Sequence, residues 1–202
     1  LYSELGAVAI ARELMREGLD GVVPTDRAEA LRLADDYDTW SQLLGSSGDG
    51  SAGPAAAHEA QALRVRHAPE DVIERVRSLK AIGVAYHRNG EDEKAITWLD
   101  RAMAVVATGN TAPLALYVDL AQTLSALLAI SGEGTRAEHV ADEALARVDR
   151  ERPPDSPERV LLMRAKANAR GALGDPASAE RLLRSAIALQ DRVVASGGAH
   201  MM

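Results

Sequence analysis

The stretch from Ser78 to Ala104, SLKAIGVAYHRNGEDEKAITWLDRAMA, can hide its apolar side chains only as two helices laid back to back. Leu79, Ile82 and Tyr86 recur at three and four residues, so they share one face of a first helix that Asn89-Gly90 brings to an end. A second helix begins at Glu91 or Asp92, where the helix dipole favours a carboxylate, and buries Ala95, Trp98, Leu99, Ala102 and Val106. Gly83, Ala95 and Ala102 are small where the pair approaches, so a large side chain at any of them overpacks the seam. Tyr86, Trp98 and Leu99 are expected in the core. Neither helix can cover its apolar face alone, and further pairs must stack on it.

The chain supplies such pairs. From Leu120, LAQTLSALLAISGEGTRAEHVADEALARV places Leu124, Ser125 and Leu128 before Gly132, then Ala137, Ala141, Ala144 and Leu145. The step of five residues from Gly132 to Ala137 matches that from Gly90 to Ala95, and the two units stand 42 residues apart. That is about eight more than a minimal repeat of roughly 34 residues, and the Gly-Asn and Pro between Thr108 and Pro113 take up part of the excess. A third unit runs from Pro157 through LLMRAKANARGALGDPASAERLLRSAIAL, where Gly174 to Ala179 repeats the step and Leu183, Ala186 and Ile187 complete the pattern. Its first helix carries Lys166 where an apolar residue is expected.

The offsets of Leu79, Ile82, Gly83 and Tyr86, followed by Ala95, Leu99 and Ala102, resemble the tetratricopeptide (TPR) pattern W-x2-L-G-x2-Y, A-x3-F and a final small residue. The resemblance implies an all-α fold, a right-handed superhelix of antiparallel helix pairs with about eight or nine helices. Units are expected near residues 76–109, 118–151 and 157–196. It also implies a non-catalytic surface for a protein or peptide, with no cofactor and no metal. Similarity to bacterial TPR regulators and scaffolds implies the sensory or scaffolding part of a cytoplasmic signalling or transcriptional regulator, with an effector domain outside this chain.

The N-terminal third is less regular. Tyr2, Leu5 and Gly6 have the spacing of a first helix that Val8, Ala9 and Leu14 extend, Gly18 and Gly21 break it, and Thr25 or Asp26 caps a second helix bearing Ala30, Leu33, Ala34, Tyr37, Trp40 and Leu44. Residues 1–44 are therefore expected to form a degenerate capping pair. Residues 45–57, GSSGDGSAGPAAA, have the composition of a flexible connection to an array over 58–202 that opens with a short helix from about Pro54 to His67.

Composition excludes several classes. There are no cysteines, so disulfides and thiolate metal sites are impossible, and no apolar run approaches the roughly 18 residues that span a bilayer. The first residue is Leu1, which leaves room for a leader or a domain upstream. Lysine occurs only at Lys80, Lys94 and Lys166 while arginine is abundant, a bias that suggests a GC-rich bacterial genome. Of the net charge of -7, residues 1–57 carry -6 and residues 58–202 only -1. No basic stripe exists to neutralise phosphates, so nucleic acid is not an expected partner.

Several constellations resemble catalytic motifs without completing them. Asp35-Asp36-Tyr37-Asp38 is one residue short of the aspartate-rich magnesium motif and has no second motif downstream, so it is read as a solvated helix face. His58-Glu59 begins like HExxH, but Ala62 replaces the second histidine. Gly132-Glu133-Gly134-Thr135 is a turn between helices, with no strand before it and no phosphate-binding lysine after it, and His139 falls on a helix surface. No serine sits in a nucleophile elbow.

Binding is better motivated. The resemblance places ligands on the exposed face of each first helix, and the helix from Pro69 to Arg88 sets Arg77, Lys80, Val84 and His87 on one side, with Arg88 adjoining. Gln122 holds the corresponding face of the next unit, and Arg164 and Asn168 that of the third. Arg164 followed by Asn168, with Lys80 as a second cation, resembles in part the carboxylate clamp by which some TPR domains hold acidic C-terminal tails. The plain alternative pairs Arg77 with Glu74 on the helix surface. Readings from other classes are a small helical enzyme, a small-molecule sensor using the groove, and a homo-oligomer formed through the last helix from Ala177 to Val194.

Overall fold

A computed structural model describes residues 10, 13–46, 52–108 and 112–199, which form helices and turns with no strand among the described residues. The chain divides into two compact units, residues 1–111 and 112–202. The first holds α1 (residues 13–19), α2 (Arg27–Ser46), α3 (Gly53–His67), α4 (Val72–Arg88) and α5 (Asp92–Thr108). The second holds α6 (Leu114–Ile130), α7 (Gly134–Glu151), α8 (Pro157–Ala172) and α9 (Pro176–Ala199). Tyr2, Leu5, Gly6, Val8 and Ala9, expected on a first helix, lie outside the described residues, as do 47–51 and 109–111.

Short polar side chains start several of the helices. Asp26 accepts from the Glu29 amide while Glu29 reaches back to the amide and hydroxyl of Thr25, a reciprocal cap at the head of α2. Asp71 accepts from the amides of Ile73 and Glu74 at the head of α4, and Ser156 caps α8 just ahead of Pro157. The helices stop as the glycines dictate. Gly90, Gly132 and Gly174, each 42 residues from the next, have φ of 78°, 82° and 74°. In each turn the next residue's amide reaches the carbonyl five positions back: Glu91 to Tyr86, Glu133 to Leu128 and Asp175 to Arg170.

The seams inside each pair keep the same register. Ser41 donates to the Gly53 carbonyl at 2.7 Å, and Ser125, 84 positions later, donates to the Ala137 carbonyl at 2.8 Å, both bonds buried. Gly83 is the intermediate position, and a Cβ there would stand 3.1 Å from the Ala95 carbonyl and 2.9 Å from Leu99 Cγ. Residues 45–46 and 53–57, expected within a flexible connection, instead belong to α2 and α3, which pack on each other in the register of the later pairs.

Ala95, Leu99, Ala102 and Val106 are buried along α5. Tyr86 and Trp98 border the core rather than fill it: they pack against Ala57, Ile82 and Ala85 but remain half-buried. The last helix also departs from expectation. Ala186 and Leu189 face inward against Val160, whereas Leu183 and Ile187, expected to complete the pattern, are exposed with Val194. Lys166 is accommodated because Asp142 on α7 lies 2.6 Å from its Nζ. Its stem occupies the apolar position and its charge is met across the seam.

Candidate functional site

The cap at Asp71 fixes the phase of α4, and a step of about 100° per residue then puts Arg77, Lys80, Val84 and His87 on one side. Arg77 and His87 are exposed, while Lys80 and Val84 are half-buried. Arg77 lies 3.1 Å from Glu74, the intrahelical pairing weighed above. His87 Nδ1 lies 2.7 Å from Asp92 Oδ1 at the start of α5. Arg88 has a structural task. A Cβ on Gly45 would stand 2.9 Å from its Cδ, and its guanidinium donates at 3.5 Å to the Gln42 carbonyl in the last turn of α2.

In the second unit Gln122 is half-buried on α6, and Arg164 and Asn168 are exposed one turn apart on α8. The structure therefore gathers the α4 candidates on one helix face and Arg164 with Asn168 on another. His139 is exposed and lies 3.4 Å from Glu143, as its surface position requires. His58 packs edge-on to Trp98 and Tyr86, with ring centroids 5.3 and 6.1 Å away. No group of three His, Asp or Glu side chains is placed to hold a metal among the described residues.

The acidic stretch on α2 is not simply a solvated face. Arg64 on α3, 2% exposed, binds Asp35 at 2.5 Å, Asp38 at 2.7 Å and Glu74 of α4 at 2.8 Å. One guanidinium thus fastens three helices through three charge-assisted bonds. Burial pushes the Asp38 carboxyl above its usual range, against the pull of Arg64, and its Oδ1 is buried without a hydrogen-bond partner. Arg64 could have been noticed as the lone charge on the alanine stripe Ala56, Ala57 and Ala60 of α3. Nothing in the sequence says which acids reach it.

Antiparallel pairs, glycine-ended first helices and a recurring 42-residue register define an all-α, TPR-like repeat protein. Similar solved structures include a putative kinesin light chain with nearly identical TPR-like repeats from Podosopora anserina, at 17% identity and a TM-score of 0.72, covering 95% of this chain and 90% of that one. BtubC from P. vanneervenii is similar at 16% identity and a TM-score of 0.70, over 94% of this chain and 76% of that one. MamA is similar at 14% identity and a TM-score of 0.53, over 79% of each chain. No family model and no curated protein sequence matches.

Proposed function

We propose that the chain is a non-catalytic module that binds a protein or peptide with an acidic segment, and that it serves as the sensory or scaffolding part of a bacterial signalling or transcriptional regulator. The observation that carries this reading is the one-sided α4 face, where Arg77, Lys80 and His87 flank half-buried Val84. Its cations have intramolecular partners, so an acidic peptide exchanges one carboxylate for another, and affinity is expected to be salt-dependent. Arg164 and Asn168 form a second, smaller set, with Gln122 in the same unit.

The test is a fluorescence-polarisation screen of acidic peptides carrying either a free or an amidated C-terminus. Arg77→Ala with Lys80→Ala, both on the α4 face, is expected to leave helicity unchanged and weaken the best peptide by about tenfold. Equal binding by the parent and the double variant refutes the reading.

Self-association is the second reading, favoured by α9. Leu183, Ile187 and Val194 are exposed and fall within about 40° of one another on the helix circumference. Light scattering over a range of concentrations checks it, and a constant monomer mass rules it out.

A further inference from the structure

On the other side of α4 from Arg77 and Lys80, a solvent-open cleft of about 880 Å³ lies among α3, α4 and α5. Its α4 wall is Val72, Arg75, Ser78 and Leu79, about half a turn of the helix away from the face described above. Val65 of α3 and Val105 and Trp98 of α5 supply further apolar wall. The volume lies within the roughly 300 to 1,000 Å³ usual for small-molecule sites. Depth sorts the polar groups. Arg64 and Ser78 are buried, whereas Arg75 and Arg101 are exposed and form the rim.

Three of the groups that line the cleft have unmet bonding capacity. Ser78, 1% exposed, has a buried hydroxyl with no hydrogen-bond partner, an arrangement that costs stability where nothing ever completes it. Arg75 forms no side-chain ion pair among the described residues, and Arg101 lies with its guanidinium 4.5 Å over the Trp98 ring. A cation–π contact of this kind leaves N–H donors of the five-donor guanidinium to bond an acid. The nearby acids are committed: Glu74 to Arg64 and Arg77, and Asp71 to Arg27 and the α4 cap. In a chain of net charge -7, two available guanidiniums over an apolar cleft select an anion.

We propose that this cleft binds a small amphipathic organic acid, with its acid group held by Arg75 and Arg101 and its apolar body against Val65, Val72, Trp98 and Val105. The site is separate from the α4 peptide face, so the two readings stand or fall by different variants. A peptide of the same charge is the competing occupant. The limited volume favours a compact ligand, because a cleft of this size covers a small molecule's surface but only a few side chains of a peptide.

The test uses the two tryptophans. In a Trp40→Phe background the emission of Trp98 is titrated with decanoate, with decan-1-ol and with an end-blocked peptide of alternating leucine and glutamate. Decanoate is expected to give a saturable change, with decanol at least about tenfold weaker. Arg75→Gln with Arg101→Gln is expected to abolish the preference for the acid, and the double lysine variant to restore part of it. Val65→Glu, an exposed change that places a carboxylate at the mouth, is expected to block decanoate without altering the circular dichroism spectrum. The proposal is overturned if decanol binds as well as decanoate, if only the peptide binds, or if both the glutamine pair and Val65→Glu bind decanoate as the parent does.

Discussion

At the scale of single residues, Arg64 is the most consequential side chain in the first unit. Its three carboxylates bring an excess of negative charge to a site where Arg64 is 2% exposed and Asp38 17% exposed. Removing the guanidinium leaves Asp38 desolvated and unpaired and Glu74 with Arg77 alone, so Arg64→Met is expected to cost about 3 kcal/mol or more, measured by urea unfolding. An unchanged midpoint would show that water replaces the arginine without penalty. Asp38 makes the cluster pH-sensitive with a definite sign. Because burial raises its folded value above the usual 3.8, the folded state holds this proton more tightly than the unfolded chain does. Asp38 therefore contributes most below 3.8, and that contribution is lost as pH rises through the raised folded value. Relative to Asp38→Asn, the parent is expected to lose stability as pH climbs through that window. A difference between the two that is flat with pH would remove Asp38 from the titration.

At the scale of elements, the repeat is a size-matched seam. Where the first helix places Ser41 or Ser125, the position 16 residues on is Ala57 or Ala141; where it places Gly83, that position is Leu99. A side chain on Gly83 meets Leu99 Cγ at 2.9 Å, so Gly83→Ser alone overpacks by about 1 to 3 kcal/mol and Leu99→Ala alone leaves a cavity worth about 2 to 5. Combined, the two reproduce the seam of Ser125 and Ala141, with the serine able to donate to the Ala95 carbonyl as Ser125 does to Ala137. The double variant is thus expected to be more stable than the sum of the single losses by about 1 kcal/mol or more, and strict additivity in thermal unfolding would contradict the register. This seam also explains what was legible beforehand. The pairs α4 with α5, α6 with α7 and α8 with α9 could be read because a left-handed glycine ends each first helix five residues before an alanine of the second. The pair α2 with α3 could not, because the α3 stripe is alanine interrupted by Arg64 and the Gly/Ser-rich junction has the composition of a linker. Candidate groove residues on α4 could be placed by periodicity alone, whereas the rim of Arg75 and Arg101 depends on helices that meet only in three dimensions.

At the scale of the whole molecule, packing runs between near neighbours in sequence: α2 with α3, α3 with α4 and α4 with α5 in the first unit, and α6 with α7, α7 with α8 and α8 with α9 in the second, where α6 also packs on α8. Such a chain has no single core whose loss must unfold everything, and its stability is a sum of pair terms and nearest-neighbour terms. Damage should consequently stay local. Leu162 of α8 is fully buried, and its truncation to alanine removes about 2 to 5 kcal/mol from the second unit. Native-state hydrogen exchange on Leu162→Ala is expected to show faster amides across α6 to α9, the compact unit that holds Leu162, with those of α2 to α4 unchanged. A uniform loss of protection over all the helices would mean that the two units unfold as one cooperative block. The cleft and the α4 face would then share one stability with α9, and a ligand at either could be felt across the chain; under local unfolding, both belong to the first unit alone and their occupancy is read there.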